Sequence, residues 1–289
     1  MDAFTIKDLE NLTGIKAHTI RIWEQRYSFV KPQRTGTNIR YYNSQELKKI
    51  LNVALLTKYG YKISHINKMS EEDVRKSIFS LSTAEAQQDR MIHDLIQCTV
   101  AIDMEKFENI LDSYILSKGI DKTITQIIFP FLDRIGILWM TNHINPGEEH
   151  LITNIIRQKL IVGIEGVSSH ISQNKTVLLF LPEGEYHELG LLYVAYLLKK
   201  HGAKILYMGA DVPVADLNNV CKIKKPDYLY THTTCDFKLE KYFSSLRSCM
   251  PESQLIISGK LCHKFKNKNP DFIHVKRSLL EVMEFVSAL

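Results

Sequence analysis

The chain has 289 residues, 45% hydrophobic and 24% charged, with a net charge of +5. That length holds two or three domains with proper cores. No apolar run approaches a membrane span, and Met1-Asp2 opens no signal peptide, so a cytoplasmic protein without a membrane partner is expected. Residues 1–70 carry 12 Lys+Arg against 5 Asp+Glu, a balance of +7 that leaves −2 for the rest. A basic N-terminal segment on a near-neutral body points to a nucleic-acid-binding head, although a solvated basic face would carry the same charge.

Thr5 is placed to cap a short helix whose apolar stripe is Ile6, Leu9 and Leu12, and Gly14 suits the turn that ends it. A second helix is expected from His18 to Arg26, with Ile15, Ile20 and Trp23 facing inward. Two short helices joined by a tight glycine turn form a helix-turn-helix, whose second helix enters the major groove. Its outward residues are Lys16, His18, Thr19, Arg21, Gln25 and Arg26, side-chain types that reach phosphates and base edges. The segment 31–42, with Pro32, Arg34, Gly36, Arg40, Tyr41 and Tyr42, reads as a basic wing of two short strands. Asn43-Ser44 caps a helix from Gln45 to Tyr59, and a short helix follows from Ser64 to Met69.

Residues 3–70 resemble the DNA-binding domain of the MerR family of transcription regulators. The pieces that carry the resemblance are Thr19-Ile20-Arg21-Ile22-Trp23-Glu24, Arg40-Tyr41-Tyr42 and Tyr59-Gly60-Tyr61-Lys62-Ile63. The resemblance implies DNA binding as a dimer on pseudo-palindromic promoters. The form Trp23-Glu24-Gln25-Arg26-Tyr27 is similar to the branch with larger sensor domains. Metal-sensing members place ligand cysteines after a long dimerisation helix, where this chain has only Cys98. Its other cysteines, Cys221, Cys235, Cys249 and Cys262, show no CxxC pairing, so reduced thiols are expected rather than a disulfide frame or a zinc site.

The stretch from Ser70 to Asp89 is polar and reads as a joining segment. Helices are then expected at 84–101, 104–118, 120–142 and 147–174, a four-helix bundle in which Pro130 kinks or divides the third. Trp139 near the end of that helix and Glu149-His150 at the start of the next flank one turn, so they can converge at one end of the bundle. Taken singly, Trp139 reads as core, and the pair as ordinary first-turn residues. From 174 onward strands are expected at 176–181, 204–208, 227–231, 254–258 and 272–275. Helices fall between them at 188–201, 213–223, 237–248 and 260–266, with a last one at 277–288. This alternation gives a doubly wound five-strand parallel sheet, and the absence of GxGxxG argues against a dinucleotide site. The expected fold is thus multidomain, α plus α/β: a winged helix-turn-helix head at 1–75, a helical bundle at 76–173 and a flavodoxin-like domain at 174–289.

Ligands of such sheets sit at the carboxyl ends of the strands. The loop after the first strand reads Glu183-Gly184-Glu185-Tyr186-His187-Glu188-Leu189-Gly190. A lone loop histidine beside acids is ordinarily just solvated. The zinc-protease pattern begun by His187-Glu188 fails because Leu191 stands where its second histidine belongs. Glu185, two residues before His187, can hold the ring's second N–H and make the other nitrogen a better metal donor.

A bundle with Trp139, then nine residues, then Glu149-His150, followed by Glu185-x-His187-x-x-Gly190 after the first strand, resembles the cobalamin-binding module. With the MerR-like head, the whole chain is similar to the cobalamin-dependent photoreceptor repressors of the CarH/LitR type. The resemblance implies His187 as lower cobalt ligand, Glu185 orienting it, and Gly190 packing close to the corrin tail. It implies Trp139, Glu149 and His150 capping the upper face and contacting the adenosyl group of adenosylcobalamin, the expected cofactor, with another cobalamin as the alternative. It also implies a homodimer or homotetramer on double-stranded promoter DNA that light dissociates. Two departures stand out. Met140 occupies the place where light-sensing members often carry a histidine, with His143 the nearest substitute. The Ser-x-Leu and Gly-Gly of the tail region become Thr231-His232-Thr233 and Gly259-Lys260. Thr231, Thr233 and Gly259 remain expected cofactor contacts, and Lys260 is expected to alter or abolish tail binding. The rival readings are a regulator with no cofactor that answers to a protein or another small ligand, and a cobalamin-carrying enzyme subunit. The basic head and the lack of a catalytic barrel argue against the enzyme.

Overall fold

The computed structural model of the chain describes residues 3–27, 29–140 (backbone alone at 137 and 140), 144–167, 174–234, 253–260, 262 and 272–289. Two compact units result, Met1–Ile155 and Ile156–Leu289.

In the first unit, α1 (Ile6–Thr13) starts in a capping box between Thr5 and Asp8, and Gly14 ends it in the left-handed region at φ 73°. Helix α2 (Ala17–Arg26) buries Ile20 and Trp23. Strands β1 (Gln33–Arg34) and β2 (Arg40–Tyr41) pair antiparallel as the wing. The Arg34 guanidinium donates to Asn38 Oδ1 at 2.7 Å across the wing's turn. Helices α3 (Ser44–Lys58) and α4 (Ile63–Ile66) follow. The expected polar joining segment is mostly a helix, α5 (Glu71–Ser80), which crosses position 75. Its acidic first turn suits a helix N-terminus, and Val74, Ile78 and Leu81 give it a narrow stripe that docks on the head core of Trp23, Val53, Leu55, Leu56 and Ile66.

Helices α6 (Ala84–Ala101) and α7 (Met104–Lys118) match the sequence reading, because Thr83 and Asp103 cap them. The third expected helix is divided into α8 (Ile120–Thr123), a π-helical turn Ile124–Ile128, and α9 (Phe129–Met140). The widened turn, closed by the Phe129 N–H donating to the Ile124 carbonyl, lies immediately before Pro130. It accommodates a residue that has no N–H and needs room for its ring. Helix α10 (Pro146–Glu165) completes this part, and the expected extension to 174 lies partly outside the described residues.

The head and the bundle share a half-buried polar junction. Asp89 on α6 accepts from Tyr59 Oη at 2.8 Å and from Lys58 Nζ, both at the end of α3, and lies 3.8 Å from Arg134 on α9. One turn further, His93 is buried, and burial pushes its pKa down to about 3.

In the second unit, β3 (Thr176–Pro182), β4 (Lys204–Val212), β5 (Tyr228–His232), β6 (Gln254–Ser258) and β7 (Ile273–Val275) form one parallel sheet in the order β4-β3-β5-β6-β7. Residues 177–181 of β3 are fully buried, as expected of a central strand. Helices α11 (Leu189–Lys200) and α12 (Val214–Lys224) and a last helix, Leu279–Ser287, are present. The helices expected at 237–248 and 260–266 lie wholly or mostly outside the described residues. The connection through α11 places β4 on one side of β3, and α12 then carries the chain to β5 on the other side. The crevice between the ends of β3 and β5 is therefore the topological switch point of the sheet.

Candidate functional site

The loop after β3 opens with Gly184 at φ 84°, whose N–H donates to Asp211 Oδ1 at 2.8 Å. Asp211 itself stands at φ 58° at the end of β4, and its N–H donates to the Glu185 carbonyl at 3.2 Å. The Glu185 side chain is fully buried. Its Oε1 accepts from the His187 N–H at 3.1 Å and lies 2.6 Å from His187 Nδ1. Its Oε2 accepts from the Thr234 N–H at 2.8 Å and from Thr234 Oγ1 at 3.1 Å. One carboxylate thus ties the β3 loop to the exit of β5. With the Nδ1–H directed at Glu185, the neutral ring carries its lone pair on Nε2, the form in which imidazole donates to a metal. The His187 side chain is 54% exposed, so the ring is open to a ligand while its orientation is fixed from below. A neutral imidazole backed by a buried carboxylate is a donor set that cobalt accepts. Glu188 is occupied in the frame: it accepts from Tyr207 Oη at 2.9 Å and pairs with Arg157 at 2.8 Å.

The switch-point crevice is lined by Gly190 on one side and by residues 231–234 on the other. Gly190 does allow a close approach, and the group that makes it is His232. A methyl carbon added at Gly190 would lie 2.5 Å from His232 Nε2 and 2.6 Å from Cδ2. The ring is held from behind, its Nδ1 2.9 Å from Ser258 Oγ, which in turn accepts from Tyr230 Oη at 2.6 Å. Burial pushes the His232 pKa down to about 4, so the ring is neutral at pH 7. The Thr231 hydroxyl is buried and has no hydrogen-bond partner among the described residues. Thr233 is used inside the sheet, its N–H donating to the Ser258 carbonyl at 2.9 Å. Gly259, at φ 103°, packs so tightly that an added methyl would lie 2.4 Å from the Thr233 carbonyl oxygen. The small residue is therefore needed at 259. Lys260, the next residue, is exposed.

Residues 4–73 match the family of MerR HTH family regulatory proteins, and residues 91–162 match the B12 binding domain. The chain thus carries a MerR-type helix-turn-helix head followed by a B12 binding region. It is similar along most of its length to two proteins of Myxococcus xanthus. It is 24% identical to the HTH-type transcriptional repressor CarH over 86% of this chain and 85% of that one. It is 27% identical to the HTH-type transcriptional repressor CarA over 85% and 83%. Among solved structures, the monomethylamine corrinoid protein of Methanosarcina barkeri superposes with a TM-score of 0.57 at 13% identity, covering 70% of this chain and 99% of that one. At that identity the likeness is one of fold.

In the MerR head, Lys16, His18, Arg21, Gln25, Arg26 and Arg34 are exposed, and Thr19, Arg40 and Tyr41 are half-buried. Lys16 pairs with Glu10 at 3.4 Å and Arg40 with Glu24 at 3.2 Å. The Lys16 side chain is 81% exposed, so its ion pair is weak and can be exchanged for a phosphate, whereas the Glu24 side chain that holds Arg40 is only 7% exposed. In the bundle, Trp139 at the end of α9 is 51% exposed rather than core, and Glu149 (half-buried) and His150 (exposed) lie in the first turns of α10. They flank one connection, which passes through residues outside the described set, as does His143. No helix among the described residues is long and apolar enough to cross a membrane.

Sequence reasoning did not single out Asp211, Thr234, Ser258 or His232. The hydroxyl-rich run Thr231-His232-Thr233-Thr234 was the available signal. What joins it to Glu185 is the placement of β5 beside β3.

Proposed function

We propose that this MerR-type regulator is a cytoplasmic repressor that binds promoter DNA as a homodimer or homotetramer, with a cobalamin held on His187 setting its DNA affinity. The observation that carries the reading is the 2.6 Å contact between His187 Nδ1 and the buried Glu185. A surface histidine without a task needs no buried carboxylate beneath it. Glu185 would fix the tautomer, His187 would hold the cobalt through Nε2, and Trp139, Glu149 and His150 would shield the bound group from water. We assign the head to 1–75, the cap to 76–173 and the α/β module to 174–289. When bound, adenosylcobalamin supplies a light-sensitive cobalt–carbon bond. The chain supplies the readout. Helix α9 carries both Trp139 and Arg134, and Arg134 meets Asp89 beside Lys58 and Tyr59 of the head. A shift of α9 is thereby felt at α3, the kind of two-state element that a ligand can bias. The reading is of a regulator and not an enzyme.

The test is a visible absorption spectrum of full-length protein mixed with adenosylcobalamin in the dark and desalted, beside His187→Ala. A retained cobalamin band that is altered in the variant and changes on illumination supports the reading. A colourless wild-type protein refutes it.

A further inference from the structure

We propose that His232 is a specificity-determining residue: a plug in the switch-point crevice that discriminates against corrinoids carrying a bulky lower nucleotide arm. The inference rests on the cobalamin reading of His187 and concerns which corrinoids that site accepts.

The argument begins with where a lower arm must go. A macrocycle coordinated by His187 presents its lower face to the loop that carries His187. Any arm attached to that face, freed from the metal by the incoming imidazole, hangs on the protein side. In an open parallel sheet the available depth on that side is the crevice at the switch point, here between the ends of β3 and β5. Gly190 has no side chain to fill that crevice from the β3 side. The imidazole of His232 fills it from the β5 side, lying where any side chain at 190 would have to be, with contacts of 2.5–2.9 Å to an added methyl carbon. The ring is not a loose lid. Ser258 Oγ holds its Nδ1 at 2.9 Å, and Tyr230 Oη holds Ser258 at 2.6 Å from within the sheet. An arm entering the crevice must displace an anchored ring and leave Ser258 to find another partner. A corrinoid lacking the arm meets no such obstacle. Discrimination by occupied space of this kind is a repulsive element, and it acts without any contact to the preferred ligand.

The experiment titrates full-length protein in the dark with adenosylcobalamin, which has the arm, and adenosylcobinamide, which lacks it. Binding is followed by the change in visible absorption for wild type, His232→Ala and His232→Leu. The ratio of the two dissociation constants is compared between proteins. Detaching the arm's own base from cobalt has the same cost in every case and cancels. His232→Ala is expected to shift the ratio toward adenosylcobalamin by about tenfold or more, the scale on which pocket volume discriminates, with adenosylcobinamide affinity unchanged. His232→Leu, which refills the volume without the hydrogen bond, is expected to keep the wild-type ratio. An equal ratio in wild type and His232→Ala overturns the plug, as does a wild type that already binds adenosylcobalamin more tightly than adenosylcobinamide. If His232→Ala fails to fold, the wild-type preference and the His232→Leu ratio still decide: a His232→Leu ratio relaxed toward adenosylcobalamin overturns the plug. If wild type binds neither corrinoid, the cobalamin reading itself falls, and this inference with it.

Discussion

Glu185→Gln is the substitution that tests the site most sharply. The wild-type carboxylate has two oxygens, and each accepts from a fixed backbone N–H: that of His187 at 3.1 Å and that of Thr234 at 2.8 Å. Glutamine keeps the shape but offers one oxygen and one NH2 group. Whichever way the amide turns, a donor faces a backbone donor in a place with no exposure. A buried donor left unsatisfied costs about 1–3 kcal/mol, and the surviving hydrogen bonds lose their charge assistance. If the amide turns its NH2 toward His187, the ring loses the acceptor that sets its tautomer. Loss of such an orienting partner weakens metal binding by about 10–100-fold, which corresponds to about 1.4–2.7 kcal/mol. The assay is a spectral titration with adenosylcobalamin in the dark, with a urea denaturation curve to show that the variant is folded. A folded Glu185→Gln that binds cobalamin with wild-type affinity and spectrum would refute the claim that Glu185 presents His187 to a metal.

Three further outcomes follow from the same geometry. Asp89→Asn leaves Arg134 and Lys58 without their carboxylate and is expected to cost about 1–3 kcal/mol in urea unfolding. Burial raises the Asp89 pKa, but the Lys58 and Tyr59 hydrogen bonds outweigh it, so the group sits below the usual carboxylate range. The gap between wild type and variant should therefore be full above about pH 4 and close as pH falls further; a gap that does not depend on pH contradicts the pairing. His93, held near a pKa of about 3 by burial, stabilises the fold as the neutral ring. Its contribution is complete above about pH 6.5 and falls by about 2 kcal/mol by pH 5, so His93→Gln should flatten that part of the stability–pH curve, and an unchanged slope rejects the assignment. Gly259→Ala meets both a left-handed backbone and the Thr233 carbonyl at 2.4 Å, whereas an added methyl at Gly36 meets nothing within 4 Å. The first should lower stability by at least about 2 kcal/mol and the second by a few tenths at most, and equal melting temperatures for the two variants would count against the packing described.

What the sequence made legible were features written locally. The caps Thr83 and Asp103 mark where α6 and α7 begin, and the apolar run of β3 needs no partner to be seen. The pair Glu185 and His187 is legible for the same reason, being two residues apart on one loop. Helix α5 was obscured because it buries a single stripe beneath a strongly charged surface. The division of the third bundle helix depends on how the backbone takes up Pro130, and a π turn has no composition of its own.

 The Asp211 bond to Gly184 spans 27 positions and the Thr234 bond to Glu185 spans 49. Both separations close only because the sheet sets β4 and β5 on either side of β3, and the lodging of His232 against Gly190 has the same origin.

The central claim is that cobalamin on the His187 module controls DNA binding by the MerR head. The most direct measurement is fluorescence anisotropy of a labelled duplex, selected by rounds of binding from a random-sequence library, against full-length protein at fixed salt in the dark. Wild type and His187→Ala are each measured with and without adenosylcobalamin. The account predicts that adenosylcobalamin changes the affinity of wild type by about tenfold or more, a coupling of about 1.4 kcal/mol, and leaves that of His187→Ala unchanged. A wild-type protein that retains adenosylcobalamin yet binds the duplex equally well with and without it would contradict the account.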